Sequence, residues 1–406
     1  MAYSTKVEKF LVEASVLNVA NSDSVDVSRY VTDINVRKDF SQSSFPLVVI
    51  NFMITEQYRD LIQNNDAAIR IKVSKFSDID DEAAGGDSEV VVESVVLDSV
   101  IRSYTKPFSS TMARKEEDSE NTGSQSEAVQ MIPYQIVGIP QDLIEKNAVV
   151  INEVYEDAKM DDIMVNILSK VERGSIFMDP SDNVDRQRSL IIPPMNVVPA
   201  VKYLQQVYGV YDAGLSLFFD FSGTSLTKLY ARQRQYTNSL EVITVPPNDN
   251  NADARYTANQ VDEDGNVRLQ LNVPPAFASN EKINLDYLGQ TTVFNSYDSN
   301  FNGVRRVYQQ EDSEITKVRY FWNQYQNRIS EVSYVNEALG TSQAISVILK
   351  NIDPTYFTQS TLYKVNSDRA YANGEYNLLE MSFSIFTKGD YRTYQSAVSL
   401  KLSKKM

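Results

Sequence analysis

The side chains that could do chemistry in this 406-residue chain are carboxylates, lysines and tyrosines, because it contains neither histidine nor cysteine. That removes the Ser-His-Asp and Cys-His arrangements, thiolate nucleophiles, disulfides, Cys-ligated zinc and the commonest metal ligand. A glycosidase-type carboxylate pair remains possible, but 54 acidic residues offer too many pairs for sequence to select one. Two acidic stretches invite a cation. Loop 77–89, "SDIDDEAAGGDSE", carries Asp78, Asp80, Asp81, Glu82 and Asp87, a composition that fits a solvated charged loop better than a cage for a hard cation. "QVDEDGNVRLQL" puts Gly265 at the sixth position of a calcium loop running from Gln260 to Leu271. Such a loop needs a carboxylate first and a bidentate Glu last, so a hairpin turn at Asp264-Gly265 is the better reading.

"GVYDAGLSLFFDFSG" lacks the G-x-G-x-x-G spacing, and no P-loop occurs. The expectation is therefore no catalytic residue, no cofactor and no metal. A formal net charge of −15 opposes any grip on nucleic acid through phosphates. Arg232-Arg234 and Lys401-Lys404-Lys405 read as solvated faces and a basic tail. Pro193-Pro194 and Pro246-Pro247 read as stiff connectors. The 24 tyrosines suit strands and contact surfaces alike.

With chemistry unsupported, the elements carry the argument. Residues 27–54, "VSRYVTDINVRKDFSQSSFPLVVINFMI", are two apolar-alternating runs joined by the polar link Asp39-Phe40-Ser41-Gln42-Ser43-Ser44. They predict a two-stranded ribbon. Its Val36, Phe45, Leu47, Val49, Ile50 and Phe52 are the candidate strand-pairing residues. Thr55 caps a short helix with Tyr58, Leu61 and Ile62, and Ile69, Ile71 and Val73 mark a half-buried strand. "EVVVESVVLDSVIRSY" returns as a long strand. Residues 109–128 are polar and low in complexity, a mobile loop of the kind a partner orders.

Met160, Ile163, Met164, Ile167, Leu168 and Val171 recur at helical spacing, with Asp157 as the expected cap and Gly174 as the stop. A second helix starts around Pro199, carries Val201, Leu204 and Val207, and ends at Gly209. Leu217, Phe219 and Phe221 then lead into a hairpin at Ser222-Gly223. After a linker at 245–257 the chain reads as strands, with turns at Ala372-Asn373-Gly374 and Lys388-Gly389-Asp390. No apolar run approaches the roughly 20 residues of a membrane span, and Glu8 and Glu13 interrupt any signal-peptide core. Synthesis in a cytoplasm is expected.

This order of parts resembles the baseplate hub, or tail hub, protein of contractile-tailed bacteriophages. Three pieces carry the resemblance: "SRYVTDINVRKDFSQSSFPLVVINFMITEQYRDLIQNNDAAIRIKVSKF", the segment "DDIMVNILSKVERG…LIIPPMNVVPAVKYLQQVYGVYDAGLSLFFDFSGTSLTKLYAR", and the β-rich C-terminus with its basic tail. The fold expected is α+β and predominantly β, with two tail-tube-like β-barrel domains flanking a small inserted α/β domain. The expected division is 1–155, 156–245 and 246–406. The resemblance implies a non-enzymatic homotrimer in the virion tail baseplate, with the ribbon residues Val36, Phe45, Leu47, Val49, Ile50 and Phe52 as tube wall or inter-subunit contacts. Its partners would be a sixfold tail tube or tube-adaptor protein, a threefold central spike and other baseplate proteins, with DNA only as passing cargo. The competing expectation is a receptor- or glycan-binding tail protein, with a patch around Trp322 and Tyr325, or a carboxylate-based glycan hydrolase.

Overall fold

The alternation at 27–54 becomes an antiparallel hairpin in the computed structural model, with Val36 opposite Val48 and Ile34 opposite Ile50. The structure describes residues 9–18, 24–40, 45–63, 67–78, 90–103, 108–109, 131–171, 175–184, 186–211, 215–221, 227–232, 238–244, 258–261, 267–271, 276–277, 290–297, 303–308, 315–322, 344–350, 352–358, 361–366, 372–388 and 390–404. The first elements are β1 (Lys9–Asn18), β2 (Ser24–Asp26), β3 (Val31–Asp39), β4 (Leu47–Ile54), α1 (Glu56–Gln63), β5 (Ala67–Asp78), β6 (Val90–Ser103), β7 (Phe108–Ser109), β8 (Ile132–Pro140) and α2 (Gln141–Asn147). Next come β9 (Val150–Lys159), α3 (Met160–Ser169), β10 (Ser175–Met178), β11 (Arg186–Asn196), α4 (Val197–Val207), β12 (Ser216–Phe221) and β13 (Thr227–Arg232). The remainder is strands: β14 (Asn238–Thr244), β15 (Ala258–Val261), β16 (Val267–Leu271), β17 (Ala276–Phe277), β18 (Gln290–Tyr297), β19 (Gly303–Tyr308), β20 (Ile315–Trp322), β21 (Ala344–Lys350), β22 (Thr361–Asn366), β23 (Gly374–Lys388) and β24 (Asp390–Lys404).

Eight strands close on themselves in the order β23-β3-β4-β8-β6-β5-β1-β24 and back to β23, every neighbour antiparallel. Closure abolishes sheet edges. The interior is stacked in rows, such as Ile385, Ile34, Ile50 and Ile136 side by side on four strands, all buried. One strand crossing requires glycine. A Cβ on Gly138 would stand 2.5 Å from the Arg102 carbonyl oxygen, where β6 meets β8. The thinnest seam is β1 against β24, where among the described residues Phe10 alone pairs, with Tyr394. There the buried Tyr394 hydroxyl donates to the Val31 carbonyl at 2.8 Å, and burial pushes its pKa up to about 12.

The C-terminal hairpin serves two sheets at once. At 15 residues each, β23 and β24 span about 50 Å. Residues 380–386 of β23 close the barrel on β3, while Gly374–Tyr376 pair with β22 and Ala397–Ser403 of β24 pair with β21. A second row of eight follows, β15-β16-β14-β22-β23-β24-β21-β17, sharing β23 and β24 with the barrel. The expected hairpin at Asp264-Gly265 has its turn outside the described residues, and its flanks β15 and β16 pair antiparallel. Strands β19-β18-β20 form a separate three-stranded sheet.

Between these lies a unit with its own core. Met160, Ile163, Met164, Ile167 and Leu168 of α3 pack with Val197, Val201 and Leu204 of α4 and with Ile151, Leu190 and Ile192 of the antiparallel pair β9–β11. Strands β10-β13-β12 complete it. Helix α4 ends as expected at Gly209, whose φ of 76° lets its N–H reach the Leu204 carbonyl at 2.9 Å. The expected cap Asp157 is not one. Strand β9 runs on to Lys159, which precedes α3 with no side-chain cap, and Asp157 sits in the strand at φ 48°. Gly174 lies outside the described residues. Among the described residues no helix is long and apolar enough to cross a membrane.

Two inward-facing lysines tie the parts together. Lys38 of β3 and Lys75 of β5 stand near the ends of strands that run the same way, four strands apart in either direction round the ring. They therefore face each other across one mouth. Lys38 meets Asp220 of β12 at 2.6 Å, beside the Phe40–Phe218 ring contact. Lys75 meets the buried Asp353 at 3.3 Å, and the other Asp353 oxygen accepts from Thr355 N and Oγ1. Asp353→Ala should take the carboxylate away from a buried ammonium and lower unfolding free energy by about 3–5 kcal/mol. Lys75→Met combined with Asp353→Leu should recover most of that loss in urea titrations; a double variant as weak as the single one would show that the pair is not what seats this segment.

Candidate functional site

Every described interior row of the barrel has an outward counterpart, and the outward rows differ sharply between its two sides. Across β23, β3, β4 and β8 the rows are Phe386-Asp33-Asn51-Gln135 and Ser384-Asn35-Val49-Val137, followed by Ser382-Arg37-Leu47 on the first three strands. Most of these side chains are half-buried and small, amide or apolar. Hydrogen bonds lace them crosswise. Asn35 Nδ2 donates to Ser384 Oγ at 2.7 Å and Ser382 Oγ at 3.2 Å. Gln135 Nε2 donates to Asn51 Oδ1 at 2.9 Å, and Asn51 Nδ2 donates to Asp33 Oδ2 at 3.0 Å. Charge in these three rows is limited to Asp33 and to Arg37, which pairs with Glu380. The side built by β1, β5 and β6 is the opposite, with Lys72 on Glu13 at 2.9 Å, Arg70 on Asp98 at 3.2 Å, and Arg102 exposed.

Low charge and a continuous run of small, amide and apolar side chains over four strands are features of a contact surface. The six candidate ribbon residues divide accordingly. Val36, Ile50 and Phe52 are buried in the barrel interior, while Leu47 and Val49 lie on the outward face. Phe45 belongs to neither; it stacks on Phe219 at 5.2 Å against the middle unit. The outward polar residues Asp33, Asn35, Asn51 and Gln135 were absent from the sequence-based selection. Period-2 alternation could have found them, because they occupy the positions between the buried ones. Of the other expected sites, loop 79–89, residues 110–130 and Tyr325 lie outside the described residues. Trp322 ends β20. Among the described residues no three carboxylates converge as they would to hold a metal ion.

Burial is the main influence on Asp33 and raises its pKa, against the lowering hydrogen bond from Asn51. A carboxyl whose folded pKa exceeds its unfolded one stabilises the fold while protonated, and loses that contribution as pH rises through the folded pKa. At neutral pH the charged Asp33 thus weakens the isolated fold. Asp33→Asn should raise stability at pH 7 in dilute protein, with the gain shrinking below the ordinary aspartate pKa of 3.8. Denaturant midpoints at both pH values check this, and an equal or lower midpoint at pH 7 would contradict it.

The fold has known counterparts over nearly its full length. A tail protein from Neisseria meningitidis MC58 superposes with a TM-score of 0.54 at 9% identity, covering 98% of this chain and 97% of that one. The 43 kDa tail protein of prophage MuSo2 from Shewanella oneidensis gives 0.53 at 9%, again over 98% and 97%. At that identity the likeness is one of fold, and it is the fold that the resemblance to a tail hub implied. No curated protein matches the chain. Residues 5–405 match the family model described as Bacteriophage PBS1 gene 109 protein, and the chain belongs to that bacteriophage family.

Proposed function

We propose that this protein is a structural component of the phage tail, a homotrimeric baseplate hub without catalytic activity. In this reading it joins a sixfold tail tube or tube-adaptor protein to a threefold central spike, contacts other baseplate proteins, and encloses the channel through which DNA passes as cargo. It is assembled in the host cytoplasm and resides in the virion tail baseplate. The observation that carries the reading is the outward face of β23, β3, β4 and β8, where the described charges are Asp33, Asp39 and the Arg37–Glu380 pair, on a chain of net charge −15. Family membership and the full-length tail-protein fold support it. The two rows of eight strands joined by one hairpin fit two tube-like units in each subunit. Core membership favours drawing the unit boundaries near residues 141 and 237, since β9 packs with the middle core and β14 pairs with β22.

Light scattering and negative-stain images of the purified chain test this directly, with a threefold ring and central hole expected. Val49→Asp should leave a folded protein that no longer forms the ring, because Val49 faces outward. Ile50→Asp should prevent folding, because Ile50 is fully buried. A wild-type chain that stays monomeric, or a Val49→Asp protein that still forms rings, would remove this face from the interface.

A further inference from the structure

The three-stranded sheet β19-β18-β20 reverses the charge balance of the chain. Its strands hold four cations, Arg305, Arg306, Lys317 and Arg319, and no carboxylate, on a chain of net charge −15. The connections between these strands carry Asp298, Glu311, Asp312 and Glu314. Register sorts the cations between the two faces. Arg306, Phe294 and Arg319 form one cross-strand row, with Tyr308 and Lys317 in the row on one side of it and Phe321 in the row on the other. Positions in a row are about 5 Å apart and rows on one face about 7 Å apart. One face thus gathers three of the four cations and interleaves them with three aromatic positions. Arg305 falls on the opposite face, which has the valine row Val307-Val293-Val318, the pattern of a sheet's packing side.

We propose that this face of β19-β18-β20 is a binding surface for single-stranded nucleic acid, with Arg306 and Arg319 taking backbone phosphates and Phe294 between them stacking a base. A sequence-tolerant single-strand site needs a positive track for the backbone and aromatic rings for the bases, and these rows alternate the two. In a duplex the base faces are already stacked on one another, so an unpaired strand is the ligand that can use Phe294. Two arginines in the central row with no carboxylate beside them favour a polyanion over a protein, since the cores of protein interfaces are depleted in charge. Negative charge elsewhere on the chain acts weakly here, because physiological salt screens exposed charges beyond about 8 Å. The site goes beyond passage of DNA as cargo, and it does not depend on ring assembly.

The test is fluorescence anisotropy of a labelled oligothymidylate of about ten nucleotides, titrated with the full chain. Phe294→Ala, Arg306→Gln and Arg319→Gln should each weaken binding about tenfold, and Phe294→Tyr should retain it. Each arginine variant should also reduce the slope of log affinity against log salt by about 0.7, a change that loss of stacking alone would not produce. Arg305→Gln removes the same charge from the opposite face and should bind like wild type. A wild-type chain that does not bind at low salt, equal losses on Arg305→Gln and Arg306→Gln, or a duplex of the same length bound as tightly would overturn the proposal. So would displacement of the oligonucleotide by polyglutamate at an equal concentration of charge, because the face would then be a dock for acidic protein. Ring formation is read separately by light scattering, so this site and the hub reading can each fail alone.

Discussion

Closure of the barrel by the far end of the chain is the constraint on which the rest of the structure depends. Six of its strands come from the first 140 residues, and the two that complete the ring come from the last 33. Asn35 bonds to Ser382 across 347 residues of sequence. Bringing such distant segments together costs about 5 kcal/mol of chain entropy before any contact repays it. The repayment is the interior row of aliphatic side chains and the ladder from Glu380 to Phe386 on β3. Pairings of this separation form slowly, so the six N-terminal strands must wait for the hairpin, with two sheet edges open until it arrives.

The two mouth lysines couple the same closure to the remaining parts. An ammonium inside a barrel is tolerated only when paired and hydrogen-bonded. Lys38 takes its aspartate from the middle unit and Lys75 from the segment after β21, so neither partner belongs to a strand of the barrel. Each of these two ion pairs therefore forms only when its region has docked on the barrel. A ring contact of Phe40 with Phe218 and the Ser396 hydroxyl on the Ile352 carbonyl at 2.6 Å accompany the two ion pairs. Polar pairs add geometric definition here to junctions that apolar contact alone would leave free to slide.

Local features of this fold were legible in the sequence, and the long-range ones were not. The ribbon at 31–54, the helix carrying Met160 to Leu168 and the stop at Gly209 follow from alternation, helical spacing and glycine's access to positive φ. The shared use of β23 and β24 leaves no local trace, because a strand's partners are not encoded in its own alternation. The lysines fall between these cases. Ile69, Ile71, Val73 and Lys75 continue one parity, as do Ile34, Val36 and Lys38, so the positions were readable as inward. What sequence could not supply was the acid that makes a buried lysine tolerable, 278 residues away for Lys75. Asp157 misled for a physical reason: a short acidic side chain suits a helix cap, and it also tolerates the left-handed conformation that it adopts within β9.

Net charge sets a condition on any assembly of this chain. Three copies in contact would bring together three times the −15 of one chain, and repulsion within a Debye length of about 8 Å is not removed by physiological salt. Copies can approach only through surface that carries little of that charge. The face of β23, β3, β4 and β8 carries few described charges, with Arg37 and Glu380 cancelling each other and Asp33 and Asp39 remaining. Asp33 is a half-buried carboxylate whose pKa burial raises, so its charged form is disfavoured in the single chain. A solvent-facing wall would be better served by asparagine there, hydrogen-bonded to Asn51 without the desolvation penalty. Keeping aspartate makes physical sense when a cation arrives from outside, since burial then strengthens the attraction that it previously opposed.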